Sequence, residues 1–204
     1  MLRLLAVGLL LSGTLLSAAE PPPAKLAAPE GWGGETIALP PGFAPEMKWK
    51  GAEHIRFAPG MMKPASSSFF CYAFVFELEP KSELTEGVVK EEFLKYYRGL
   101  CKAVLAGEGP VVDPSKFTLD MQRVQAEGKP ESDEPGKPTL YTGTLEWVEP
   151  FATKKSQKLN LEIRTWSQQD RNFVFACVSP QARDADIWKQ LRAIRDDYLK
   201  KQAE

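Results

Sequence analysis

The spacing of apolar and polar positions changes period several times along the chain, and each change marks an element. Glu35-Thr36-Ile37-Ala38-Leu39 alternates polar with apolar, the pattern of a half-buried strand, and Pro40-Pro41-Gly42 ends it. Glu53 to Phe57 is a second strand: Glu53, Ile55 and Phe57 share one face, His54 and Arg56 the other. Ala58-Pro59-Gly60 closes it as a turn. Phe69 to Leu78 has almost no polar side. Such a short aromatic and β-branched run predicts a central strand covered on both faces. Four more strands are predicted at Phe117 to Val124, Leu140 to Trp147, Leu159 to Trp166 and Asn172 to Val178.

The period becomes helical over Glu86 to Leu105. Val89, Phe93, Tyr96 or Tyr97, Leu100 and Val104 make one stripe, opposite Lys90, Glu91, Lys95, Arg98 and Lys102. Thr85 is placed to cap its start, and Gly107, Gly109 and Pro110 stop it. A second helix carries Ile187, Trp188, Leu191, Ile194 and Tyr198, with Lys200 and Lys201 near its end. Ser179-Pro180 predicts its opening, with Asp184 as the alternative cap.

The predicted order is three strands, a helix, four strands, a helix. Strands and helices do not alternate, so a doubly wound parallel sheet is disfavoured. Gln168 to Asn172 is short enough for a hairpin, and short links favour antiparallel pairing. The charged, proline-bearing stretch Ala126 to Pro138 reads as a loop. The expected fold is therefore α+β. It is a largely antiparallel sheet of about six or seven strands between two amphipathic helices, like an α/β/α sandwich.

The first residues add a compartment. A positive start at Met1 to Arg3, an apolar run at Leu4 to Leu16 and small residues at Ser17-Ala18-Ala19 form the pattern of a secretory signal. A membrane-spanning helix needs about 20 apolar residues, so the run is short for an anchor. The expectation is cleavage after Ala19, an exported (periplasmic or secreted) product, and no stable membrane span afterwards. Residues 20–31, with four Pro, read as a linker, and 32–204 as one domain whose order begins near Trp32.

The formal net charge is −1, with no basic excess of the kind nucleic-acid binding requires, so nucleic acid is not an expected partner. Three Cys occur, at positions 71, 101 and 177. They read as small buried apolar side chains, and Cys71 with Cys177 is the possible disulfide if one forms in an oxidising compartment.

Two resemblances rest on particular residues. Ile37-Ala38-Leu39-Pro40-Pro41-Gly42-Phe43 resembles the opening of Mog1/PsbP-like domains, which implies an antiparallel sheet between helices and a closing helix. Gly34-Glu35 with Ile37, Phe43-Ala44-Pro45, Arg56 to Met61, Tyr72-Ala73-Phe74-Val75 and Ser179-Pro180 with Trp188 resemble an uncharacterised family of exported bacterial proteins. That resemblance covers most of the chain after residue 19. It implies location and architecture, and no activity.

Chemistry-bearing motifs are sparse. One His excludes a multi-histidine zinc site from this chain alone, no metal site is expected, and no phosphate loop or G-x-S-x-G turn occurs. No cofactor is expected. Glu77 with Glu79, and Asp196 with Asp197, are the candidate acid–base pairs, read as solvated edges. His54 and Arg56 share a strand face and are candidate ligand contacts. Trp147 and Trp166, at the ends of neighbouring strands, are candidates for facing one cleft. The leading expectation is a non-catalytic exported domain that binds a partner protein or small ligand in the cell envelope. The alternative is a small exported hydrolase using carboxylates or His54.

Overall fold

The computed structural model describes residues 26–107, 111–124 and 138–202. The proposed signal, the first part of the linker, Gly109, Pro110 and nearly all of the Ala126 to Pro138 loop lie outside the described residues.

Among the described residues, seven strands and two α-helices form in the predicted order, with one turn of 3-10 helix at Pro114–Lys116: β1 (Gly33–Leu39), β2 (Gly51–Phe57), β3 (Tyr72–Leu78), α1 (Glu86–Val104), β4 (Thr118–Arg123), β5 (Thr139–Val148), β6 (Ser156–Gln168), β7 (Arg171–Ser179) and α2 (Asp186–Gln202). The strands make one sheet in the order β1-β2-β3-β7-β6-β5-β4, and every neighbouring pair is antiparallel. Two meanders, β1 to β3 and β4 to β7, thus meet where β3 pairs with β7. α1 carries the chain from the middle of the sheet to its far edge.

All seven residues of β3 are buried, because helices cover both faces. Alternation along β3 sends Tyr72, Phe74, Phe76 and Leu78 into a layer with Phe93 and Tyr97 of α1. Ala73 and Val75 go into a second layer with Trp188 and Leu191 of α2. The α1 layer is the larger. Ala44, Met47 and Trp49 of the β1–β2 connection and Met61, Phe69 and Phe70 of the β2–β3 connection complete it.

Several boundaries differ from the sequence pattern. The strand expected from Phe69 starts at Tyr72. Phe70 turns the chain with a φ of 52°, and its N–H donates to the Met61 carbonyl. Ser179-Pro180 does not open α2: Ser179 completes β7, its hydroxyl accepts from the Gln181 N–H at 3.0 Å, and the helix starts at Asp186. Thr85 occupies the N-cap position of α1, but its hydroxyl donates to Glu83 instead of closing the helix. Order also begins earlier than Trp32, since Leu26 is fully buried in the α2 layer.

The Cys71–Cys177 bridge is not formed, and all three cysteines are buried free thiols. Register explains it. Cys177 lies opposite Ala73, while the Cys71 thiol meets the Ser179 hydroxyl at 3.1 Å.

Candidate functional site

The four candidate ligand contacts do not converge. His54 and Arg56 lie on the α2 face of β2, opposite Val75 and Ala73. Arg56 folds across its β1 partner Gly34, where a Cβ would collide with the guanidinium, and donates to the Ile55 carbonyl at 2.9 Å. Trp147 is buried on the α1 face against Phe70, Tyr97 and Phe117, with its indole N–H on Gln157. Trp166 is buried on the opposite face, stacked on Phe173 with centroids 5.0 Å apart. The two indoles therefore share no cleft. Their alternation parity on β5 and β6 differs, and each fills one of the two cores.

Polar groups inside the fold carry more information. Glu77 is a buried carboxylate, not a solvated edge. The Arg171 guanidinium pairs with it at 2.5 Å, and His54 Nε2 lies 3.7 Å away. His54 Nδ1 is 3.1 Å from the Thr36 hydroxyl. Thr36, His54 and Glu77 thus form a chain across β1, β2 and β3. His54 itself is 4% exposed. Glu79 lies just beyond the end of β3 and is exposed, so the expected Glu77–Glu79 pair is divided between interior and solvent. Asp196 pairs with Arg195 and Asp197 with Lys201, as surface ion pairs.

On the α1 face Glu53 is fully buried. The Tyr96 hydroxyl donates to its two oxygens at 3.0 and 3.2 Å. Burial pushes the Glu53 carboxyl up to about 8, against a smaller opposing effect of that hydrogen bond. The Tyr72 and Tyr97 hydroxyls meet at 2.7 Å in the same layer. Glu92, also buried, accepts from the Lys48 and Trp49 N–H groups and from Lys95, tying the β1–β2 connection to α1.

An open concavity among the described residues adjoins this layer. A groove of ≈ 1010 Å³ runs between Gly42–Glu46, the second half of α1 and Val111–Ser115. Phe43, Ala44, Pro45, Leu105 and Val112 supply apolar wall. Lys95, Arg98 and Lys102 supply positive charge, and Glu46 and Asp113 negative charge. Gly99 makes the approach of the β1–β2 connection possible, since a Cβ there would collide with the Phe43 carbonyl and Ala44. Arg98 donates to the Ser115 and Phe117 carbonyls through Nη2, while its buried Nε has no hydrogen-bond partner among the described residues. Lys95 is engaged by Glu91 and Glu92 at 3.2 and 2.7 Å. Asp113 accepts two hydrogen bonds from Ser115, which hold its carboxyl below the usual range.

The groove was not legible in the sequence. Phe43, Arg98, Lys102 and Val112 come from three separate segments. The one local hint is Gly99, a glycine inside a strong helical stripe, which signals close approach of another backbone. Among the described residues, no group of three His, Cys, Asp or Glu is placed to hold a metal. Comparison with protein-family models, with curated proteins and with solved structures finds no match to this chain.

Proposed function

We propose that this chain is an exported, non-catalytic binding domain whose ligand occupies the groove between Gly42–Glu46, α1 and Val111–Ser115. The ligand class that fits is a small molecule with an apolar body and a negative group. The observation that carries the reading is the groove itself: its volume is that of small-molecule sites, and apolar walls carry cations at a few positions. Lys102 is exposed beside the apolar wall, and Arg98 is held in place by the two carbonyls it caps. Export rests on the leader pattern of residues 1–19.

Anilinonaphthalene sulfonate has an apolar body and one negative group, and serves as the probe. Saturable fluorescence enhancement at one site is expected. Ala103→Trp, which fills the groove from an exposed position, should abolish it, and Lys102→Glu should weaken it several-fold, both without a change in Tm. Absence of saturable binding, or binding indifferent to both substitutions, overturns the reading.

The alternative of a small hydrolase draws on one observation, the Thr36–His54–Glu77 chain. A base hydrogen-bonded to a hydroxyl and backed by a carboxylate is the arrangement nucleophilic catalysis uses. None of the three lines the groove, and His54 is buried. Turnover of a panel of nitrophenyl esters and glycosides that His54→Ala and Thr36→Ala both abolish would replace the binding reading with this one.

A further inference from the structure

Glu53 is a fully buried carboxyl in the α1 layer. It projects from the middle of β2 onto the α1 face, with 0% exposure. Among the described residues its hydrogen bonds come from a single hydroxyl, that of Tyr96. The groups that face it are Glu35, diagonal to it on β1, Tyr72 on β3, and Tyr96 and Tyr97 on α1. None of these is a cation. Lys95, next to Tyr96 in the chain, is held by Glu91 and Glu92, and Arg56 lies on the other face of β2. An ionised Glu53 would thus be a buried charge with no counter-ion among the described residues, beside a second carboxylate, which is strongly unfavourable.

The same contact supports the wall of the groove. Tyr96 is the residue through which α1 touches Glu53, and Phe43 rests edge-on against Tyr96 with centroids 5.1 Å apart. Phe74 stacks on the ring of Tyr96, with centroids 6.1 Å apart. Tyr96 thus links Glu53 to both the helix and the aromatic wall.

We propose that Glu53 and Tyr96 form a proton-controlled latch: while Glu53 keeps its proton, α1 and the Phe43 wall stay seated on the sheet, and loss of that proton loosens both. The sign follows from linkage. The carboxyl is raised from 4.5 to about 8 in the closed state, so the closed state binds the proton more tightly than an opened one. The stabilisation is complete below pH 4.5, declines as pH rises, and is lost once pH passes about 8. Control of α1 by pH needs no ligand, and goes beyond the binding reading.

The test uses the whole chain without ligand. Carbon NMR of labelled glutamate carboxyls, each assigned through its own backbone resonances in the wild-type chain, should show Glu53 titrating near pH 8. Amide exchange of α1, corrected for its intrinsic base dependence, should accelerate by up to about tenfold per pH unit between pH 5 and 8 and then level off. In Glu53→Gln that dependence should vanish. Tyr96→Phe removes the hydrogen bond that favours the ionised form, so the levelling-off should move to higher pH. This variant and the wild-type titration decide the matter if Glu53→Gln does not fold. An ordinary carboxylate titration at Glu53 overturns the latch, and so does α1 exchange with the same pH dependence in wild type and Glu53→Gln. Neither result bears on dye binding in the groove, and failure of dye binding leaves the latch standing.

Discussion

Single residues in this fold act mainly by where they place a charge out of water. Glu149, fully buried just after β5, is a clear case. It accepts from the Phe151, Ala152 and Thr153 N–H groups and from the Thr153 hydroxyl, so it organises the β5–β6 turn. Burial alone would push its carboxyl up, but the bonds from Thr153, Ala152 and Phe151 outweigh that and leave it below the ordinary value. Glu149→Ala strands three backbone donors and should cost about 2–3 kcal/mol in urea unfolding. Because the folded-state value is depressed, the wild-type advantage is present above pH 4.5 and should fade as pH falls below it. A Glu149→Ala penalty that persists undiminished in acid would mean the carboxylate does not carry the turn. Glu149 and Glu53 show why residue identity alone is a poor guide to the interior: burial raises both carboxyls, but hydrogen bonds from Phe151, Ala152 and Thr153 overcome it at Glu149, while the single Tyr96 hydroxyl does not at Glu53.

Elements follow local pattern closely in type and less closely at their ends. α1 was expected at Glu86 to Leu105 and spans Glu86–Val104, because a long apolar stripe carries its own register. α2 starts at Asp186 rather than at Ser179-Pro180, because Ser179 stays in β7, where its hydroxyl meets the Cys71 thiol. The β6–β7 hairpin was expected from its length, and its chemistry lies in the backbone. Gln169 and Asp170, the two turn residues, have φ of 49° and 59°. Paired positive φ values define the turn that suits the right-handed twist of a hairpin, and they favour Asn-Gly. Gln169→Asn with Asp170→Gly should raise stability by roughly 1 kcal/mol, seen as a higher Tm. No gain, or a loss, would show that the present side chains hold the turn by other means.

At the scale of the whole molecule, one sheet serves two cores. β3 and β7 send alternate residues to the α1 and α2 layers, so neither layer is complete without the other. Phe93→Ala in the first layer and Leu191→Ala in the second should each cost roughly 2–5 kcal/mol. Unfolding should remain a single transition whether followed by amides of α1 or of α2. Two separable transitions would mean that the layers are independent units. The predicted α+β architecture, strand count and antiparallel pairing are those observed. The strand order was not predicted, since nothing in the local pattern says that β3 joins β7 and leaves β1 and β4 at the edges.

What the chain determines by itself is periodic. Alternation at β2 placed Glu53 and His54 on opposite faces, and the continuous apolar run at β3 called for cover on both sides, because side-chain direction is set by backbone geometry within a few residues. What only the tertiary structure decided is which segments meet. The groove joins Phe43 to Lys102 and Val112, Glu53 finds Tyr96 rather than a cation, and Trp147 and Trp166 fall on opposite sides of the sheet. Burial and electrostatic partners are properties of those long-range contacts, and they turn an ordinary glutamate into one that keeps its proton near neutral pH.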